Sequence, residues 1–227
     1  LPLVWTGTGE PERGADGRAI ITVAQHQGRV GQDHHRGQPG RDLAGAGLSV
    51  ALLDTDPQGS LGRWFLERLE RLGEDEALEF TTSSAWGASY ESEKLKKRFD
   101  YVIIDTPPKI DSDLRPALRV ADLVLVPVAT SQVDLWATEG VLDLARREKC
   151  DTLIVLNRTR PHTRLAAEIA QKAAELGAEV AAAQVANRVL YAETLGQGLG
   201  AADGARGNPA ARAEVDALTD EVLSWLP

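Results

Sequence analysis

Residues 48–60 read LSVALLDTDPQGS. The run from Leu48 to Leu53 is strand-length and close to continuously apolar, so a strand built from it needs cover on both faces. It ends abruptly at Asp54, Thr55 and Asp56, and Pro57 and Gly59 then break any regular structure. Parallel sheets are buried on both faces and gather their ligands at the carboxyl ends of the strands. The same grammar recurs on either side: AIITVA at 19–24, YVIID at 101–105 followed by Thr106, Pro107 and Pro108, DLVLVPV at 122–128, and TLIVLN at 152–157. These runs predict an α/β fold, a doubly wound and mostly parallel sheet with helices on both faces.

The segments between the runs carry helical spacing. SLGRWFLERLERLG (60–73) offers Ser60 as a cap, Gly73 as a stop, and Leu61, Phe65 and Leu69 four residues apart. VDLWATEGVLDLARR (133–147) and TRLAAEIAQKAAELG (163–177) behave alike. In NPAARAEVDALTDEVLSWLP (208–227), Asn208 is placed to cap and Pro209 to occupy the first helical position, with Val215, Leu218, Val222 and Trp225 on one face. Its polar face is mostly acidic, which argues against a basic membrane-binding helix. KLKKR at 94–98 is read as a solvated helix end rather than a DNA contact.

The chain has 227 residues, 43% of them hydrophobic, enough for one domain with a real core. Residues 18–227 are expected to form that single domain, with 1–17, rich in Gly, Pro and charge, as a disordered extension. A net charge of −9 provides no overall basic footprint for nucleic acid. One cysteine, Cys150, excludes an internal disulfide or a multi-cysteine metal centre and is read as a buried thiol. With no apolar run of membrane-spanning length and no signal-peptide pattern, the expected location is the cytoplasm.

The chemistry concentrates in the strand tips. Asp54 and Asp56 end one run and Asp105 ends another. Carboxylates so placed suit Mg²⁺, which keeps several waters and takes few protein ligands. One such Asp is readily explained as a turn cap; both motifs together point to a nucleotide site. In their order and separation, LLDTDPQGS, YVIIDTPP, ADLVLVPV and LIVLNR resemble the ParA/MinD family of deviant P-loop ATPases, most of all the small ParA proteins of plasmid and chromosome partition. The resemblance covers about residues 18–226 and implies ATP and Mg²⁺ as cofactors. It implies that Asp56 helps position the attacking water, that Asp105 is the Walker B carboxylate serving Mg²⁺ through water, and that Asp54 supports the site. By the same resemblance Thr106, Pro107 and Pro108 form a nucleotide-sensing switch and Asn157 contacts adenine, although Asn157 also suits a strand-end turn. An ATP-dependent homodimer, a ParB-like partner that stimulates hydrolysis, and non-specific DNA binding are implied as well. A MinD-like membrane role is disfavoured by the acidic last helix, and a NifH-like reductase by the single cysteine.

The family's phosphate loop, Lys-Gly-Gly-x-Gly-Lys-Thr-Thr, should occupy 27–34. Its glycines let backbone N–H groups wrap phosphates, its second lysine neutralises their oxygens, and its first threonine ligates Mg²⁺. The chain instead has Gln27, Gly28, Arg29, Val30, Gly31, Gln32, Asp33 and His34. The nucleotide-binding positions are therefore Gly28, Gly31, Gln32, Asp33 and His34, with neither lysine present and Asp33 placing a negative charge beside a polyanion. As written, this is a degenerate, non-catalytic member acting as a binding protein. Two other readings of QHQGRVGQDHHRGQPG (25–40) fare worse: Asp33, His34 and His35 lack metal-ligand spacing, and the loop has no aromatic residue to stack an RNA base.

Codon degeneracy offers another explanation. A Gln codon read one base late before Gly or Asp permits AAG, lysine, at both 27 and 32, and the Asp33 and His34 codons permit ACC, threonine. Carried from 27 to 41, the shifted reading permits Lys-Gly-Gly-Ser-Gly-Lys-Thr-Thr-Ile-Ala-Ala-Asn-Leu-Ala-Val, the phosphate loop and the start of its helix. One extra base near codon 26 and one missing base near codon 42 would account for the whole window. Resequencing codons 20–45 is expected to remove both shifts. A confirmed frame would mean a chain that neither binds Mg·ATP tightly nor hydrolyses it.

Overall fold

The computed structural model describes residues 17–24, 48–108, 112–160, 163–200, 203 and 208–227. Seven strands, β1 (Ala19–Val23), β2 (Val50–Asp54), β3 (Leu78–Thr82), β4 (Tyr101–Asp105), β5 (Leu123–Ala129), β6 (Thr152–Asn157) and β7 (Glu179–Val180), form one sheet in the order β3-β2-β4-β1-β5-β6-β7. Every pairing is parallel. The continuous apolar runs explain this: all five residues of β1, β2 and β4 are buried, which only a sheet covered on both faces provides.

Among the described residues, seven α-helices connect and cover the strands: α1 (Ser60–Leu72), α2 (Ala88–Lys96), α3 (Arg115–Val120), α4 (Gln132–Glu148), α5 (Arg164–Ala174), α6 (Val189–Leu195) and α7 (Pro209–Ser224). Alternate strand residues serve opposite layers. Ile21, Leu52, Ile103, Leu125 and Leu153 pack with Leu61 and Trp64 of α1, Tyr191 of α6, and Val215, Leu218 and Val222 of α7. On the other face, Ile20, Leu53 and Ile104 meet Ala88 and Leu95 of α2. Val124 and Ile154 meet Leu118 of α3, Leu142 of α4 and Ile169 of α5. The chain leaves β2 on one face and returns to β4 on the other, so the carboxyl tips of β1, β2 and β4 lie side by side.

The caps bear out part of the sequence reading. Asn208 accepts a hydrogen bond from the Ala211 N–H at 3.1 Å, with Pro209 first in α7, and Thr163 caps α5 through the Ala166 N–H. Ser60 is not the cap of α1. Gly59 holds that place at φ 62° with no side-chain capping bond, because the turn after Asp56 enters the helix left-handed, a conformation glycine takes without strain. Arg68 is buried in α1 along with Leu61 and Trp64, while Phe65 stacks on Phe80 at 5.1 Å between centroids. Trp225 lies beyond the α7 face expected for it, at the C-cap and 38% exposed.

Cys150 is half-buried rather than buried. Its thiol donates to the Leu118 carbonyl at 3.0 Å, and burial, aided by Glu148 and Asp151, raises its pKa. In the 94–98 run, Lys94, Lys96 and Arg98 pair with Glu91, Asp122 and Glu79, as a solvated helix end would. Strands β3 and β7 lacked a continuous apolar run because both are edges, half-covered at most. Of the expected extension 1–17, residues 1–16 lie outside the described residues.

Gly198 follows α6 at φ 67°, and a Cβ there would sit 2.2 Å from the Arg68 amide nitrogen. Since the obstacle is backbone, neither side can yield cheaply. Gly198→Ala is expected to cost on the order of 2 kcal/mol or more, read as a lower urea midpoint at unchanged slope.

Candidate functional site

The carboxyl tips of β2 and β4 are in register, Asp54 opposite Asp105, and Val23 of β1 lies opposite Asp105 on the other side. Adjacent strands are about 4.8 Å apart, so the two carboxylates and the end of β1 share one small region. All three acidic groups are withdrawn from water, Asp54 at 3%, Asp56 at 6% and Asp105 at 7% exposure.

Local hydrogen bonds determine how they are held. Asp54 accepts from the Asp56 N–H at 2.9 Å and, more weakly, from the Gly62 N–H of α1 at 3.4 Å. Its carboxylate thus braces the turn and the first turn of the helix, where an anion is favoured. Asp56 accepts from the Gln58 N–H at 3.1 Å, an Asx turn that orients its side chain. Thr55 donates its N–H and its hydroxyl to the Asp105 carbonyl, at 2.9 and 2.8 Å, locking the two tips together. The Thr106 hydroxyl donates to the Val23 carbonyl at 2.9 Å, joining the tip of β4 to the last residue of β1. Pro107 and Pro108, both half-buried, follow at once and supply no N–H to prolong the strand.

Of the expected site residues, Asp54, Asp56, Asp105, Thr106, Pro107 and Pro108 are therefore brought together. Asn157 is on the same edge at the end of β6, three strands from Asp105 and so roughly 14 Å away. Its side-chain oxygen accepts from the Arg158 N–H at 2.8 Å, and Arg158 is left-handed at φ 52°, so Asn157 takes part in a strand-end turn. The window 25–47, with Gly28, Gly31, Gln32, Asp33 and His34, lies outside the described residues.

The donor set fits Mg²⁺ in kind: hard carboxylate oxygens at adjacent strand tips, with hydroxyls beside them. Among the described residues, no group of three or more His, Cys, Asp or Glu is arranged to enclose a metal.

One neighbouring assembly left no signal in the sequence. Beyond β6, Thr159 bridges Ala186, extending the sheet edge past Asn157. Glu214 of α7 fastens this segment, accepting from Arg188, from the Tyr191 hydroxyl at 2.8 Å and from the Ala186 N–H at 3.3 Å. Burial alone would raise the Glu214 carboxyl, but these three donors together hold it below the usual carboxylate range. Burial, reinforced by Glu214, pushes the Tyr191 phenol well up. The partners are about 25 residues apart in the chain, which is why spacing could not reveal them.

A parallel sheet with helices on both faces, paired acidic strand tips and a long connection from Val23 to Val50 is the architecture of nucleotide-binding α/β proteins. Similarity narrows the class. Residues 74–152 match a family described as AAA domain. The maintenance of carboxysome distribution protein A of Halothiobacillus neapolitanus is 29% identical over 181 residues, 77% of this chain and 82% of that protein. A probable plasmid-partitioning protein ParA of Thermus thermophilus is 27% identical over 163 residues, 57% of this chain but only 50% of that protein. Among solved structures, the Aquifex aeolicus cell division protein MinD superposes with a TM-score of 0.72 at 18% identity, covering 91% of this chain and 97% of MinD. An ATP complex of a Cyanothece McdA variant superposes at 0.73 and 16%, covering 91% and 96%. In sequence and in fold the chain is similar to ATPases of the ParA/MinD type.

Because Glu214 is held below its ordinary pKa, its contribution is fully present above the unfolded-state value, near 4.3, and is lost as pH falls through the lower folded-state value. Glu214→Gln is expected to lower stability at pH 7 by about 1–2 kcal/mol, with the gap to the parent closing at low pH. Urea melts at pH 7 and pH 3 measure both arms; a gap independent of pH would remove the carboxylate from the account.

Proposed function

We propose that the protein is an ATP-driven switch for partition or cargo positioning, working as a ParA-type ATPase. The observation that carries this reading is the register of Asp54 with Asp105, and of Asp105 with Val23, which sets three buried carboxylates against the root of the β1–β2 connection. The similarity to a carboxysome distribution protein and to a plasmid-partitioning protein supports the biological setting.

Each residue then has a task its geometry permits. Asp56, turned by its bond from Gln58, orients the attacking water and takes its proton. Asp105 would hold Mg²⁺ through its waters, and the ion would supply charge neutralisation to the phosphates. Asp54 keeps the Asp56 turn in place. Thr106 senses the end of β1 through the Val23 carbonyl, so a shift at the phosphate loop is passed to the segment beginning at Pro107. Asn157 borders the base. ATP joins two copies of the chain, the lysine expected at position 27 reaching the phosphates held by the other copy. A ParB-like partner triggers hydrolysis, and the ATP dimer binds DNA without sequence preference. The switch acts in the cytoplasm; no helix among the described residues is long and apolar enough to cross a membrane.

A second reading is favoured by one specific feature. With Gln32 and Asp33 where the phosphate loop needs lysine and threonine, the chain as written keeps the fold and loses ATP, acting as a binding protein. Two chains separate the readings: the one as written, and one carrying the shifted reading of 27–41. The shifted chain is expected to hydrolyse Mg·ATP and to dimerise with ATP by light scattering, whereas the written chain does neither. Adding Asp56→Ala to the shifted chain should cut turnover by about 10²-fold or more while sparing the ATP dimer. Full turnover in that variant would take Asp56 out of the reaction.

A further inference from the structure

Strand β3 is the edge of the sheet among the described residues, bonded to β2 alone. The Val50 N–H donates to the Ala77 carbonyl and the Ser83 N–H to the Asp54 carbonyl, so residues 77, 79, 81 and 83 bond inward. The N–H and carbonyl of Phe80, with the carbonyl of Leu78 and the N–H of Thr82, consequently face away from β2. Alongside lies a cleft of about 400 Å³ between α1 and β3, floored by Phe65, Leu69, Leu78 and Phe80. Its rim carries Glu74, Asp75 and Glu76, while Glu79 is neutralised by Arg98 at 2.6 Å; among the described lining residues the one cation, Arg68, is buried and paired with Asp203 at 3.4 Å.

We propose that this cleft docks an extended, basic peptide segment of a partner protein as an added strand beside β3. Three features select that occupant. The outward backbone groups require a chain in the extended conformation, since only a strand presents matching donors and acceptors in series. The Phe65, Leu69 and Phe80 floor takes an apolar side chain from one face of that strand. The acidic rim favours lysine or arginine at the flanking positions and repels an acidic chain. A second copy of this protein is the poorer occupant, because edge-to-edge pairing would bring Glu74, Asp75 and Glu76 close to their own counterparts. The docking surface uses β3 and α1 only, so it operates without nucleotide and stands apart from the ATPase reading.

The test is a selection of random displayed 12-residue peptides against the full chain without ATP, followed by anisotropy titration and hydrogen-exchange mapping with synthetic versions of those recovered. The expected peptides are net positive with an apolar residue between basic ones, and they protect amides of 78–82. Glu74→Lys/Glu76→Lys, confined to two exposed side chains, should weaken them about tenfold or more, as should raised salt. The proposal is overturned if no peptide is enriched, if protection maps away from β3, if charge reversal and salt leave affinity unchanged, or if the free chain protects 78–82 only on self-association.

Discussion

Backbone polar groups in the middle of this sheet have no access to water, and that constraint governs the rest of the molecule. In β1, β2 and β4 every residue is buried, so each N–H and carbonyl must find its partner in a neighbouring strand. Polar chemistry can enter only where the strands stop. At the carboxyl tips, Thr55 and Thr106 turn inward to satisfy the Asp105 and Val23 carbonyls, and in doing so they bind three strands into one platform. The carboxylates of Asp54, Asp56 and Asp105 are held there by the same closure.

The two ends of the sheet use acids differently. At the amino end, Asp100 accepts from the Ser49 N–H and hydroxyl, both at 2.8 Å, and Asp122 accepts from the Ile20 N–H and from Lys96, both at 2.7 Å. Those carboxylates stitch strand starts to the preceding loops and are balanced by donors of the chain itself. At the carboxyl end, Asp54 and Asp56 accept from backbone N–H groups of their own turn. Carboxylates braced by backbone N–H groups at adjacent strand tips are oxygen donors of the kind a hydrated Mg²⁺ takes. The edges of the sheet differ too. Beyond β6 the edge is extended by the Thr159–Ala186 bridge and fastened by Glu214, whereas β3 presents its outer side beside an acid-rimmed cleft.

Much of this was legible in the linear chain. The five continuous apolar runs located β1, β2, β4, β5 and β6, since hydrophobicity without alternation has one common cause, cover on both faces. Asp54, Asp56 and Asp105 stood out because charged residues end those runs abruptly, and Asn208 with Pro209 marked the start of α7 from local chemistry alone. Edge strands β3 and β7 were not legible: LEFTT alternates polar with apolar residues, and Glu179–Val180 is two residues long. The Ser60 cap failed because the preceding turn, not the serine, decides how the chain enters α1.

The sequence by itself determined the class of fold, the family resemblance and the acidic strand tips, because these depend on composition and spacing within short segments. It also exposed the departure from the phosphate-loop pattern at 27–34, a matter of residue identity alone. Only the tertiary structure decided that Asp54 faces Asp105, that Thr106 reaches Val23 across 83 residues, and that Glu214 gathers Ala186, Arg188 and Tyr191. Strand order and register are global properties, settled by which faces can be buried together, and no local pattern encodes them.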